Sequence, residues 1–305
     1  MDFPRLEINQ HLMQENVGLF TTRQTKESFA CLASQVPASQ HKIAAVYDRS
    51  YTFPLYLYPV HEDDPVTDAP GGRRPNLAPE FVDDLTQRLS GPSRKMQFII
   101  NGCGDLKKTI GPEDIFHYMY AVFHAPTYRK RYADFLKIDF PRLPLTSNIK
   151  LFRALCALGH TLTSIHLMNP SAVDTSKFPQ PKYPVKPTSA VPVKHISGTV
   201  DMNLHQGGGG DIVEKVEYKP PTKEHAGRVW INKHQYFEGV PPEVWDFHVG
   251  GYQVCEKWLK DRKGRTLSFD DKEHYKLIVA ILAQTMALMA EIDKVIDKHS
   301  GWPIK

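Results

Sequence analysis

Apolar residues in the centre of the chain recur at three- and four-residue steps, the period of a helix with one buried face. From 112 to 124 the sequence is apolar nearly all round, with Ile115, Phe116, Met119, Tyr120, Val122 and Phe123, so this helix is expected to be enclosed by other elements. Pro126 stops it. Thr127 is then placed to cap a second helix over 128–137, with Tyr128, Tyr132, Phe135 and Leu136 on one face and arginines on another. Pro141 and Pro144 break the chain again. Beyond Ser147, the stripe Ile149, Phe152, Leu155, Leu158, Leu162 and Ile165 predicts a long helix running to His166. A last helix carries Tyr275, Ile278, Val279, Leu282, Met286, Met289, Ile292 and Ile296 on one stripe. Ser268 and Asp271 have capping-box spacing at its start.

The period changes outside these helices. Residues 17–60 alternate short β-prone runs, 17–22, 43–47 and 53–59, with turn residues. The polar, Pro- and Gly-dense stretch 61–79 reads as a mobile loop, followed by a short helix over 79–89 and a buried-type strand over 97–101. Six prolines between 170 and 192 forbid a continuous helix or a central strand, so this is a surface crossing that ends in the turn Gly207–Gly210. Strands over 211–219 and 228–232 predict a hairpin or small sheet. The pattern as a whole is mixed α+β. It gives a β-rich N-terminal lobe (1–110), a helical core (111–169), a Pro/Gly-rich crossing (170–210), and a hairpin with C-terminal helices (211–305), together one domain.

Composition narrows the class. With 305 residues, 41% of them hydrophobic, the chain can bury a sizeable core. No apolar run approaches 18 residues and the start lacks a basic-apolar-small pattern, so neither a membrane span nor a signal peptide is expected; a cytoplasmic location follows by default. Cys31, Cys103, Cys156 and Cys255 are spaced without a zinc or disulfide pattern and read as reduced thiols. A net charge of +4 is only mildly basic. The cations do cluster, at Arg129, Lys130 and Arg131 and again at Lys257, Lys260, Arg262, Lys263 and Arg265. Each cluster is either a phosphate-facing surface or a solvated helix face.

Catalytic patterns are weak. Asn101-Gly-Cys-Gly-Asp105 follows an apolar run, but no helix pattern starts at once, so it reads as a strand-end turn rather than a cofactor loop. An amino-methyltransferase acting on DNA bases needs Asn or Asp before Pro-Pro-aromatic; Lys219-Pro-Pro-Thr222 and Val240-Pro-Pro-Glu243 have neither flank. Asp211, Glu217 and Lys219 imitate a metal-dependent nuclease, and alternating charge on an exposed strand produces the same spacing. No catalytic, cofactor-binding or metal-ligating residue is assigned.

The stretch Asp114-Ile-Phe-His-Tyr-Met-Tyr-Ala-Val-Phe-His-Ala-Pro-Thr-Tyr-Arg-Lys-Arg-Tyr132, continued through Phe140-Pro-Arg-Leu-Pro144, resembles the specificity domain of type ISP and related single-chain restriction-modification enzymes. Phe237-Glu-Gly-Val-Pro-Pro-Glu-Val-Trp245 through Gly250-Gly-Tyr252 and Trp258-Leu-Lys-Asp-Arg262 is similar to the end of that domain. Glu15-Asn-Val-Gly-Leu-Phe-Thr-Thr-Arg-Gln24 looks like its opening strand, and Leu158-Gly-His-Thr-Leu162 and Arg228-Val-Trp-Ile-Asn232 fit as well. The resemblance implies a module that holds duplex DNA, reads base edges and presents a flipped adenine to a methyltransferase domain. Methyltransferase, helicase and nuclease motifs are absent. S-adenosylmethionine is therefore expected on a methyltransferase domain outside this chain, with helicase or nuclease domains as further partners in cis or trans. The DNA-contact candidates are Arg23, Gln24, Arg129, Arg131, Lys233 and Gln235, and Gly250 and Gly251 are expected to turn the chain before a helix at Tyr252. A nuclease using Asp211, Glu217 and Lys219, or a protein-interaction scaffold, are the alternatives.

Overall fold

Prolines and caps set the helices. The structure, a computed structural model, describes residues 6–37, 49–61, 64, 69, 71–183 and 210–304. Helices α1 (Pro79–Leu89), α2 (Pro112–His124) and α3 (Pro126–Arg131) each open on a proline, whose missing N–H costs nothing in the first turn. α4 (Ile149–His166) is capped by Asn148, whose side chain accepts from the Lys150 and Leu151 amides. Two longer helices follow, α5 (Val254–Lys260) and α6 (Phe269–Lys298), and single helical turns stand at Leu6–Asn9 and Pro242–Trp245. The capping box holds: the Asp271 carboxylate accepts from the Ser268 amide at 3.1 Å and the Ser268 hydroxyl accepts from the Asp271 amide at 3.0 Å.

Thr127 does not cap. Because Pro126 can itself start a helix, α3 begins two residues earlier than expected, and the Thr127 amide and hydroxyl instead donate to Asp293 at 3.0 and 2.8 Å. The helix also ends at Arg131, where Tyr132 leaves the helical region, and only a turn, Ala133–Leu136, continues the expected 128–137 segment.

The chain divides into two units, Met1–Val173 with Val249–Tyr252 and Gln284–Lys305, and Asp174–His248 with Gln253–Ala283. In the first, strand β1 (Gly18–Thr22) lies between β2 (Cys31–Ser34) and β3 (Ser50–Pro54), antiparallel to both, with Phe20 opposite Leu32 and Thr52. Every residue of β1 is buried. The Ala33 amide donates to the Tyr120 hydroxyl at 3.1 Å, tying β2 to α2. Helices α2 and α4 pack so closely at Gly159 that an added Cβ would lie 1.9 Å from the His117 carbonyl oxygen. Two short pairings complete the unit: Tyr56–Leu57 with Arg74–Pro75, and Gln97–Phe98 with Thr109–Ile110. Part of the expected loop over 61–79 is thus strand. The expected strand over 97–101 stops after two residues, where the chain heads into the turn at Gly102, with φ +70°.

In the second unit, β4 (Glu217–Lys219), β5 (Arg228–Trp230) and β6 (Tyr236–Glu238) form an antiparallel sheet in the order β6-β5-β4. Val229 and Phe237 turn into the core, Phe237 lying 4.4 Å from the Tyr275 ring and 4.7 Å from Tyr183. The strand expected over 211–219 is regular only from Glu217. Before it, the Val213 amide pairs with the Arg265 carbonyl and the Glu214 amide with the Ile231 carbonyl, two different partners that break the ladder. Tyr252 belongs to a two-residue strand after the Gly250 turn, at φ +58°, and α5 starts at Val254.

By length and composition α6 could cross a membrane, contrary to the sequence expectation; half of its apolar stretch is buried inside the protein. Its polar interruptions are also packed, with Gln284 donating to the Ala172 carbonyl at 3.2 Å and Thr285 2.9 Å from His166 Nε2. The run 43–47 and residues 184–209 of the Pro/Gly-rich crossing, Gly207 to Gly209 included, lie outside the described residues.

Candidate nucleic-acid interface

In the first unit, β1 delivers Arg23 and Gln24 to the surface just past its last buried residue, Thr22. The Thr25 amide donates to the Lys137 carbonyl at 3.1 Å, fixing this corner against the segment that follows α3. Arg23 Nε lies 3.5 Å from the Asp139 carboxylate, both side chains more than half exposed, and its guanidinium stands 5.8 Å from the Phe140 ring. Tyr51 and Phe53 of β3 meet the same ring edge-on at 5.0 and 5.5 Å. Aromatic and cationic side chains are therefore interleaved here, as on surfaces that track nucleic acid.

The segment after α3 folds back on itself. The Tyr128 hydroxyl donates to the Arg142 carbonyl at 2.8 Å, and Pro141 and Pro144 keep 141–144 extended. The fold-back encloses an open cavity of about 490 Å³ lined by Tyr128, Tyr132, Phe135, Phe140 and Leu143, with Asp139 and Arg142 as its charged wall. Phe135 and Ile138 stand at it 69% and 64% exposed. Lys130, Arg131, Lys137 and Arg142 of this segment are exposed as well.

Arg129 goes elsewhere. As a residue it is only partly covered, yet its guanidinium is enclosed: Nε donates to the Phe123 carbonyl at 2.7 Å, the group stands 5.6 Å from the Phe29 ring, and burial pulls its pKa down. It sits beside a buried polar cluster. The Tyr120 hydroxyl is 2.6 Å from His166 Nδ1, and His124 Nδ1 donates to the Tyr120 carbonyl at 2.8 Å. Burial, then Arg129, holds His166 down at about 3 and takes His124 well below its usual range; burial pushes Cys31 up to about 12. A cation so placed is engaged inside the fold, which sets Arg129 apart from the exposed candidates Arg23 and Arg131.

In the second unit, the turn between β5 and β6 is built by Asn232, which is buried. Its side-chain oxygen accepts from the His234 and Gln235 amides at 2.8 Å, and its nitrogen donates to the Gly210 and Ile212 carbonyls at 3.1 and 2.9 Å. This fixed turn exposes Lys233 and His234 and leaves Gln235 half-buried. Sequence reasoning missed the adjoining sheet face. Register puts Glu217, Trp230 and Tyr236 on it in one row and Lys219, Arg228 and Glu238 in the next. Lys219 stands 5.0 Å from the Trp230 ring, Arg228 4.6 Å from the Tyr236 ring, and the two rings are 4.5 Å apart. The alternation of Arg228 and Trp230 with buried Val229 and Ile231 was the available signal.

The residues of the nuclease alternative are already engaged. Asp211 accepts from the Tyr183 hydroxyl at 2.9 Å and pairs with Lys272 at 2.7 Å, while Glu217 pairs with Lys215 at 2.9 Å. Among the described residues no three His, Cys, Asp or Glu side chains gather as a metal site. At Asn101–Asp105, the Gly104 amide donates to the Asp114 carboxylate at 2.6 Å and the Gly102 amide to the Tyr56 hydroxyl at 2.8 Å, so these two donors serve the fold.

Solved structures share this fold at low identity. The DrdV-DNA complex, determined by electron cryo-microscopy, matches 98% of the chain at 19% identity with a TM-score of 0.60, over 26% of its own length. The ATP-dependent Type ISP restriction-modification enzyme LlaBIII bound to DNA matches 100% of the chain at 15% identity with a TM-score of 0.57, over 17% of its length. A nuclease-deletion mutant of the Type ISP enzyme LlaGI with a DNA substrate mimic matches 96% at 19% identity and a TM-score of 0.51, over 22% of its length. The chain thus spans about a quarter or less of each of these proteins. Comparison with curated proteins gave no match. Residues 1–291 match the family model of the Type ISP C-terminal specificity domain, and the chain belongs to that family.

Proposed function

We propose that this chain is the target-recognition module of a restriction-modification adenine DNA methyltransferase: it binds duplex DNA, reads its sequence and presents the target base, and carries no catalytic step itself. The observation that carries this reading is the match of the specificity-domain family over 1–291, with similar folds in three proteins solved on DNA or a DNA mimic. The surface chemistry supports it. Exposed Arg23, Arg131 and Lys233 suit phosphates, and Gln24 and Gln235 suit base edges. A methyltransferase domain holding S-adenosylmethionine, and helicase or nuclease domains, lie outside this chain in a cytoplasmic assembly.

The test is selection of duplex DNA from a randomised library by the full chain at two salt concentrations, with and without magnesium. The reading expects enrichment of one sequence, weakening with salt and no cleavage. Cleavage with magnesium would overturn it in favour of a nuclease, and salt-insensitive protein binding without DNA affinity would overturn it in favour of a scaffold.

A further inference from the structure

We infer that the 490 Å³ cavity behind α3 receives one unstacked nucleotide of the bound DNA, its base among Tyr132, Phe135 and Phe140 and its phosphates on the neighbouring cations. This rests on the DNA-recognition reading. The volume is that of a small-ligand site, and the lining has the matching make-up: mostly rings and aliphatic carbon, with a few polar groups, Asp139 and Arg142, to orient a ligand. Charge selects among apolar ligands. Of the exposed cations Arg23, Lys130, Arg131, Lys137 and Arg142, two are paired, Lys137 with Asp134 and Arg23 with Asp139, which leaves Lys130, Arg131 and Arg142 in excess of the two acids of residues 126–144. An apolar protein segment would gain nothing from that excess, whereas a nucleotide joins a flat apolar base to an anion. A base still stacked in a duplex cannot offer its faces to rings, so the occupant is an extruded or unpaired nucleotide. Phe135 and Ile138, more than 60% exposed at the cavity, are free to meet it.

The probe is a duplex with one bulged 2-aminopurine, compared with the same duplex fully paired, titrated into the full chain by anisotropy and 2-aminopurine fluorescence. The bulged duplex should bind on the order of tenfold more tightly, with quenching of the probe. Phe135→Ala and Ile138→Asp should remove both the preference and the quenching while affinity for the paired duplex and the melting temperature stay. Equal binding of the two duplexes by the wild-type chain, or a preference that survives both variants, overturns the cavity assignment and leaves duplex recognition standing. Failure to bind either duplex overturns the DNA reading itself. Loss of a dimer in Phe135→Ala, by sedimentation, would assign the cavity to a second copy of the chain.

Discussion

Arg129 keeps its charge among Phe123, Phe29, Cys31, Tyr120 and the His124–His166 pair, where the Phe123 carbonyl and an aromatic face stand in for solvent. Replacing it with an anion would strand a carboxylate in the same space. Arg129→Glu should lower stability by about 3 kcal/mol or more, read by thermal melting, whereas Arg131→Glu, on an exposed side chain, should leave melting unchanged and weaken DNA binding. The two arginines look alike in sequence; a difference in burial two residues apart separates their roles. The histidines beside Arg129 make a pH prediction. His166, at about 3, and His124, well below 6.5, stay neutral in the fold, while in the unfolded chain both take up protons as pH falls through about 6.5. Their folded pKa values are lowered, so the stability they confer is present above pH 6.5 and lost on going down towards the folded values, by up to about 1.4 kcal/mol per pH unit for each group. Unfolding free energy should therefore fall between pH 6.5 and 5. His166→Asn should reduce that slope by about one proton's worth; an unchanged slope would mean that His166 titrates in the fold.

At the scale of elements, the long helices were legible and the strands only in part: the runs 17–22 and 228–232 became Gly18–Thr22 and Arg228–Trp230, while 211–219 and 97–101 shrank. Pro112–His124, Pro79–Leu89 and Ile149–His166 follow directly from proline positions and apolar stripes, because a helix satisfies its backbone locally. A strand needs a partner from elsewhere. The 211–216 run has the right residues, but its amides find Arg265 and Ile231 in turn, and the regular ladder shrinks to Glu217–Lys219. The same limit hid Gly159, which reads in sequence as a helix-weakening glycine and in the fold is the point where α4 meets the α2 backbone. Gly159→Ala should raise intrinsic helix propensity yet cost about 3 kcal/mol, since the His117 carbonyl cannot retreat as a flexible side chain would. A gain in melting temperature would show that the helices can part without loss. Ser268→Ala, which removes one half of the capping box, should cost about 1 kcal/mol by the same measurement.

For the whole molecule, the candidate interface was visible where it depends on residue type and hidden where it depends on the path of the chain. Arg23 and Gln24 at the end of a strand, and Lys233 in a turn, are exposed; the cavity exists only because 141–144 returns to Tyr128, and the sheet face only because three separated strands share a register. Candidates now stand in both units, and salt dependence can show which of them touch DNA. Each phosphate neutralised by a cation releases counterions, so the slope of log affinity against log salt counts these contacts at about 0.9 each. Arg23→Ala, Arg131→Ala and Lys233→Ala should each lower the slope by about one contact and leave sequence preference intact, because phosphate contacts hold the register without reading bases. The three losses should add in the triple variant, since among the described residues Arg23 pairs with Asp139 and no ion pair links it to Arg131 or Lys233. Gln24→Ala and Gln235→Ala should do the opposite, relaxing preference at single base pairs with little change in slope. If Lys233→Ala leaves the slope at its wild-type value while Arg23→Ala and Arg131→Ala reduce it, DNA is held through the first unit alone. The Trp230 and Tyr236 face would then be open to another domain of the enzyme.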